Sequence, residues 1–244
     1  MSSRNSAIDR KALTLHPRNL AAIIDHTLLR PEATPQQVKQ LCAEAREYGF
    51  GAVMTNSCYV RLAATELHGT QVKVGAVIGF PFGATLTSVK IFEAMECIKL
   101  GAVEIDMVIN LGFLKGGDKE AVFADVKAVT EAVHFRHGLL KVILETGLLT
   151  DDEKLLACQL VEKAGADFVK TSTGFLAGGA TVEDVKLMRR AVSIGVKASG
   201  GIRSLGDALA MVDAGADRLG TSSGVKIVTD MRPPSQNATP TAGY

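Results

Sequence analysis

Tryptophan is absent from the 244 residues, and Phe, Tyr and Trp together make up only 5%. Val, Ile, Leu and Ala must therefore fill the interior, and these are the residues of buried parallel strands. Proline is sparse, with 7 residues against 24 Gly, in a chain that is 47% hydrophobic and 22% charged. That balance excludes collagen-like, low-complexity and disordered chains. Charge of one sign is lacking too: 27 Lys and Arg against 26 Asp and Glu leave +1, so no global field recruits nucleic acid or an anionic membrane. No apolar run approaches the roughly 18 residues of a membrane span. Cys42, Cys58, Cys97 and Cys158 lie 16, 39 and 61 positions apart, which is neither a C-x-x-C redox pair nor a zinc-ligand spacing. They read as free buried thiols of a reducing compartment. Arg4, Asp9, Arg10 and Lys11 occupy the stretch where a secretory apolar segment would lie. The expected setting is the cytoplasm.

What is present is a repeat. Gly49-Phe-Gly-Ala-Val-Met54, Gly101-Ala-Val-Glu-Ile-Asp106, Gly165-Ala-Asp-Phe-Val-Lys170 and Gly215-Ala-Asp-Arg-Leu-Gly220 each place a glycine and an alanine before a short β-rich run. Glycine there supplies the left-handed cap that ends a helix. Further strands are expected at Ala21 to Asp25, Val72 to Ile78, Leu140 to Glu145 and Val196 to Ser199, making eight. Thr34-Pro-Gln-Gln37, Thr150-Asp-Asp-Glu153 and Thr181-Val-Glu-Asp184 are capping-box sequences at helix starts. Eight alternating strands and helices in about 250 residues predict a single-domain α/β fold, the (β/α)8 TIM barrel. An open doubly wound sheet would want a glycine-rich turn after its first strand, and Asp25-His-Thr-Leu-Leu-Arg30 has no glycine. The expected organisation is a helical extension over 1–17, a barrel over 18–230 and a flexible tail over 231–244.

Barrel active sites form at the carboxyl ends of the strands. Lys73 and Lys141 are expected to open their strands and so to belong to the opposite, stability-related face. Lys170 and Lys197 sit near the far ends, before Thr-Ser-Thr-Gly174 and Ala-Ser-Gly-Gly201. Asp106 follows Gly101 by five residues and Lys170 follows Gly165 by five, which predicts equal heights in the barrel. Two amines crowded in a low-dielectric mouth favour loss of a proton from one, giving a nucleophile suited to Schiff-base formation, with Asp106 shuttling protons. The same spacing equally suits a compensated ion network that only fills the barrel. Gly200-Gly201 and Gly220-Thr-Ser-Ser-Gly224, after strands seven and eight, stand where barrels hold phosphate, and they favour a phosphorylated carbonyl substrate. His134 and His137 have i, i+3 spacing without an acidic or cysteine partner, so no metal site is expected.

These segments resemble the deoxyribose-phosphate aldolase family of class I aldolases. The resemblance rests on Asp25-His-Thr-Leu-Leu-Arg-Pro31, Val77-Ile-Gly-Phe-Pro-Phe-Gly83, Glu104-Ile-Asp-Met-Val-Ile-Asn110, Phe168-Val-Lys-Thr-Ser-Thr-Gly-Phe175, Val196-Lys-Ala-Ser-Gly-Gly-Ile-Arg203 and Gly220-Thr-Ser-Ser-Gly224. It implies a barrel lyase that reversibly cleaves 2-deoxy-D-ribose 5-phosphate to D-glyceraldehyde 3-phosphate and acetaldehyde, without metal or cofactor. By motif position it implies Lys170 as the Schiff-base lysine, with Lys197 and Asp106 as proton-transfer partners. Gly174, Gly200, Gly201, Ser222 and Ser223 would surround the phosphate. Tyr244, the last residue, is similar to a terminal Tyr of some relatives and would assist proton transfer at the enamine carbon. The implied partners are the phosphosugar and aldehyde substrates, not nucleic acid or membrane, with a homo-oligomer, a dimer, as the expected assembly. One departure stands out: Met54-Thr-Asn-Ser57 replaces a Cys-Val-Asn-Pro-like end to strand two, which bears on aldehyde preference rather than reaction type.

Overall fold

The computed structural model describes residues 16–176 and 178–231. The expected extension before residue 16 and the tail carrying Tyr244 lie outside the described residues. Eight strands form a closed parallel barrel in sequential order. They are β1 (Ile24–Leu28), β2 (Ala52–Thr55), β3 (Lys73–Ile78), β4 (Glu104–Val108), β5 (Leu139–Ile143), β6 (Phe168–Lys170), β7 (Gly195–Ser199) and β8 (Arg218–Thr221), with β8 pairing back onto β1. The predicted (β/α)8 barrel is the fold. Helix α1 (Pro17–Ala22) precedes β1, and α2 (Pro35–Tyr48), α3 (Val60–Glu66) and α4 (Thr87–Lys99) follow the first three strands. Two helices, α5 (Leu111–Lys115) and α6 (Lys119–Phe135), follow β4. The circuit closes with α7 (Asp151–Lys163), α8 (Val182–Ala191), α9 (Leu205–Ala214) and α10 (Gly224–Asp230).

The repeat glycines do what their positions ask. Gly49 and Gly215 cap α2 and α9 at φ 72° and 116°, a region that favours glycine because it has no Cβ. Thr34 and Thr150 form complete capping boxes with Gln37 and Glu153. Thr181 accepts the Asp184 N–H without a return bond, because the Asp184 carboxylate instead meets the Lys154 ammonium at 2.7 Å.

Of the strand boundaries that differ from expectation, two matter for the site. Ala21 and Ala22 end α1, whose start is set by Pro17 and by the His16 side chain accepting the Arg18 N–H, so β1 begins only at Ile24. The second correction concerns Lys141. The Leu139 N–H bonds the Val103 carbonyl, starting β5 there and placing Lys141 in mid-strand, fully buried, instead of at the opening face. Lys73 does open β3 and is exposed. Cys42, Cys97 and Cys158 are buried as expected, but Cys58 is exposed, since the chain leaves β2 for a 3-10 turn at Ser57–Tyr59.

Outward-facing Val53, Val74, Ile105, Leu140, Val142, Val169 and Leu219 pack with the helices in one continuous apolar core. The inner face is different. Barrel interiors are commonly filled by branched apolar side chains, whereas here the register aligns Asp106 with Lys141, Lys170 with Lys197 and Lys197 with Arg218. A separate small apolar cluster, Leu29, Met54 and Val77 with Phe80 packed against it, stands on the side of the first three strands.

Outside the barrel, α4 and α6 are joined by a buried ion pair. Lys90 Nζ donates to Asp125 Oδ2 at 2.6 Å and to the Val108 carbonyl at 3.1 Å, and Thr87 Oγ1 donates to Asp125 Oδ1. Lys90 is 0% and Asp125 3% exposed. Removing one partner strands a buried charge, so Asp125→Ala is expected to cost about 3–5 kcal/mol, while Lys90→Met with Asp125→Leu together cost far less. Denaturant unfolding of the three proteins checks this, and equal losses in single and double variants would contradict it.

Candidate active site

The site begins with a phase rule. Paired residues of parallel strands point to the same face, so the pairings carry one inner set around the barrel. This set contains Asp25 on β1, Glu104 and Asp106 on β4, Lys141 on β5, Lys170 on β6, Lys197 on β7 and Arg218 on β8. The three residues singled out in the sequence converge on one atom. Asp106 Oδ2 accepts from Lys170 Nζ at 2.8 Å and from Lys197 Nζ at 2.7 Å. Asp106 Oδ1 accepts from Lys141 Nζ at 2.9 Å.

Four members escaped sequence reasoning. Lys141 Nζ also donates to Glu104 Oε2 at 2.6 Å and lies 3.8 Å from Asp25 Oδ2. Lys197 Nζ donates to Asp25 Oδ2. The Arg218 guanidinium donates to Asp25 through Nε at 3.0 Å and through Nη2, and to Glu104 through Nη1 at 3.3 Å and Nη2 at 3.1 Å. The available signal was the i, i+2 pair Glu104 and Asp106 inside an apolar run: two carboxylates on one face of a buried strand require cations opposite them.

Protonation follows from position. Burial penalises the Lys170 ammonium most, Asp106 favours it, and the neighbouring Lys197 and Lys141 charges disfavour it, bringing its pKa down to about 8. Burial also disfavours the Lys141 ammonium, but Asp106, Glu104 and Asp25 outweigh that and push its pKa up. Burial raises the carboxyls, yet Lys141, Lys170 and Lys197 hold Asp106 well below the usual range. Arg218, Lys197 and Lys141 likewise hold Asp25 low against burial. The arrangement therefore combines an amine that gives up its proton more readily than an ordinary lysine with ionised carboxylates.

Lys170 is also the member that meets the open cavity. The cavity, of about 650 Å3, opens at the carboxyl ends of the strands and includes Lys170, Gly174, Gly200, Gly201 and Ser222 in its lining. Asp106 and Lys197 lie beneath, each 0% exposed. The three glycines have φ of 82°, 90° and 79°, turning their loops in the left-handed region. Gly200 is also crowded: a Cβ on Gly179 would lie 2.6 Å from its carbonyl oxygen, so two loops meet backbone to backbone beside the cavity. Ser223 is not brought into the lining; it precedes α10, and its N–H donates to Thr221 Oγ1 at 2.9 Å. His134 pairs with Asp167 at 2.8 Å and His137 stands past the end of α6 at φ 58°.

At the departure site, Met54 is buried in the Leu29–Val77 cluster, and Asn56 Nδ2 donates to the Leu29 carbonyl at 3.1 Å. Phe80 meets Phe175 edge-on, with ring centroids 5.3 Å apart.

Comparison with known proteins agrees with this geometry. The sequence model of the DeoC/LacD family aldolase matches residues 20–229. A deoxyribose-phosphate aldolase of Thermoanaerobacter sp. (strain X514) is 56% identical over 215 residues, which cover 87% of this chain and 96% of that one. One of Streptococcus equi subsp. zooepidemicus is 58% identical over 212 residues, covering 86% and 96%. Among solved structures, the tetrameric deoxyribose phosphate aldolase of Aeropyrum pernix superposes with a TM-score of 0.84 at 38% identity, covering 93% of this chain and 98% of that one. A parallel barrel with a lysine pair gripping one buried carboxylate, matched over nearly its whole length by aldolases, places this chain in the DeoC/LacD family of aldolases.

Proposed function

We propose that the chain is a deoxyribose-phosphate aldolase, reversibly cleaving 2-deoxy-D-ribose 5-phosphate to D-glyceraldehyde 3-phosphate and acetaldehyde through a Schiff base on Lys170. The observation that carries the reading is the contact of Lys170 Nζ, at the cavity floor, with Asp106 at 2.8 Å, in an amine whose pKa is lowered to about 8. Neutral Lys170 attacks C1 of the open-chain sugar, and water leaves from the carbinolamine to give an iminium. Two-carbon acetaldehyde and a three-carbon product require that C2–C3 breaks. The O3 proton passes to Asp106 through water, the C2–C3 electron pair flows into the iminium, and the three-carbon aldehyde departs. Lys197 and Asp106 then return a proton through water to C2 of the enamine, with Tyr244 assisting at that carbon, and hydrolysis of the imine frees acetaldehyde and Lys170.

The phosphate is assigned to Gly174, Gly200, Gly201 and Ser222, where it supplies remote binding energy and orientation. Leu29 lines the cavity with buried Met54 and Val77 packed against it, which makes Met54 an indirect determinant of aldehyde preference. The barrel over 18–230 carries the chemistry, the assembly is a homodimer and the setting is cytoplasmic. Among the described residues no helix is long and apolar enough to cross a membrane.

Three outcomes test this reading. Borohydride reduction in the presence of acetaldehyde should add one ethyl group, mapped by peptide mass to Lys170; ethylation at Lys197 would exchange the roles of the pair, and none at either would sink the Schiff base. Lys197→Leu removes a like charge facing Lys170, so imine formation, which needs the neutral amine, should shift to higher pH. An unaltered profile would leave burial and the Lys141 charge, not Lys197, as what lowers the Lys170 pKa. Ser222→Asp sets a carboxylate against the phosphate and should impair cleavage of the phosphorylated sugar at least tenfold more than that of deoxyribose, given about 1.4 kcal/mol per decade. Equal losses on both substrates would remove the phosphate from this loop.

A further inference from the structure

The seven inner charges do not balance. Lys141, Lys170, Lys197 and Arg218 are four cations, and Asp25, Glu104 and Asp106 are three carboxylates. These come from every strand that contributes charge to the interior: β1, β4, β5, β6, β7 and β8. Their inner neighbours on β2 and β3, Met54 and Val77, are uncharged, and Lys73 lies exposed at the strand opening. Glu145, above Lys141 on the way out of β5, is engaged by the N–H and hydroxyl of Thr173. One positive charge is therefore in excess when all seven are ionised, and a buried excess charge is expelled wherever a proton is held most weakly.

Contacts decide where that is. Lys141 has three carboxylates within ion-pair distance, Lys197 has two and Arg218 has two. Lys170 has one, Asp106, which it shares with both other lysines. Arg218 keeps its proton at any accessible pH. It is not among the residues that line the cavity, and it draws on Asp25 and Glu104, the carboxylates that would otherwise compensate the lysines alone. Charges alternate along the paths Arg218–Glu104–Lys141–Asp106–Lys170 and Arg218–Asp25–Lys197–Asp106–Lys170.

We propose that Arg218, remote from the substrate, is a positioning residue for the aldolase reaction: it supplies the surplus positive charge that keeps Lys170 available as a neutral amine. Its guanidinium works through Asp25 and Glu104, not by contact with the reacting atoms. The inference rests on Lys170 being the nucleophile.

The signs of neighbouring substitutions make the test specific. Arg218→Met leaves three cations and three carboxylates, so Lys170 retains its proton to higher pH. Glu104→Gln, nearly isosteric, leaves four cations and two carboxylates and shifts the requirement to lower pH. The double variant, with three cations and two carboxylates, restores the single surplus. The readout is the rate of ethylation of Lys170 by acetaldehyde and cyanoborohydride as a function of pH, quantified by peptide mass. The midpoint in Arg218→Met should rise by about one unit, a roughly tenfold loss of neutral amine near pH 7. Glu104→Gln should lower the midpoint, the double variant should return it towards that of the unmodified protein, and Arg218→Lys should hold it. Rates reduced evenly at every pH with no midpoint shift, or single variants shifting the same way, would overturn the role of Arg218. Should Arg218→Met not fold, an upward or absent shift in Glu104→Gln overturns it alone. Failure of the unmodified protein to label at Lys170 would instead overturn the Schiff-base assignment.

Discussion

The rest of this structure depends on enclosing ionised side chains in the middle of a barrel. An isolated buried charge costs several kcal/mol even after relaxation, and the cost is offset only by close, well-oriented partners. The inner face meets that demand by setting the carboxylates of β1 and β4 against the cations of β5, β6, β7 and β8: Asp106 meets Lys141, Lys170 and Lys197, and Asp25 meets Lys197 and Arg218. Every contact of this kind relies on the inward phase of two strands at once. A slip of one residue in any of them would turn its charge outward into the apolar layer, so the ion network and the strand register enforce each other.

Lys170 differs from the other interior cations in where it stands. It ends β6 and meets the cavity, whereas Lys141 is a full strand-pair below, in register with Phe168 rather than with Lys170. Lys141 is surrounded by carboxylates and holds its proton; Lys170 is buried with one shared carboxylate and gives its proton up far more readily. The same kind of side chain holds its proton at one level of the barrel and yields it more readily at the next, and the difference is carried by neighbours, not by sequence motif. Glycines complete the arrangement above, where Gly179 and Gly200 allow two loops to touch backbone to backbone and leave the cavity open beside Lys170.

Much of this was legible in the sequence because it is local. Gly49 and Gly215 mark helix ends, Thr34 and Thr150 mark helix starts, and the matching offsets of Asp106 and Lys170 from their glycines do bring the two side chains into contact. What was not legible depends on where a strand begins. Lys141 read as a strand opener because nothing in Gly138-Leu-Leu-Lys141 announces that the Leu139 N–H joins the ladder through the Val103 carbonyl. Asp25 read as the end of a strand because the alanines before it resemble one, although they close α1. Arg218, inside the last glycine repeat, read only as part of a short β-rich run; its contacts are defined by Asp25, 193 positions earlier. Ser223 shared the promise of Ser222 on sequence, and the turn into α10 separates them.

The central claim is that the barrel interior lowers the pKa of Lys170 well below that of an ordinary lysine before any substrate arrives, so that Lys170 gives up its proton while Lys141 keeps its own. It is tested most directly by NMR titration of the lysine side-chain ammonium groups in the ligand-free protein, with Lys170 assigned by its loss in Lys170→Met. The account predicts a Lys170 midpoint at about 8 while Lys141 keeps its proton through the same range. A Lys170 midpoint near the ordinary lysine value of about 10.4, or loss of the Lys141 proton first, would contradict it.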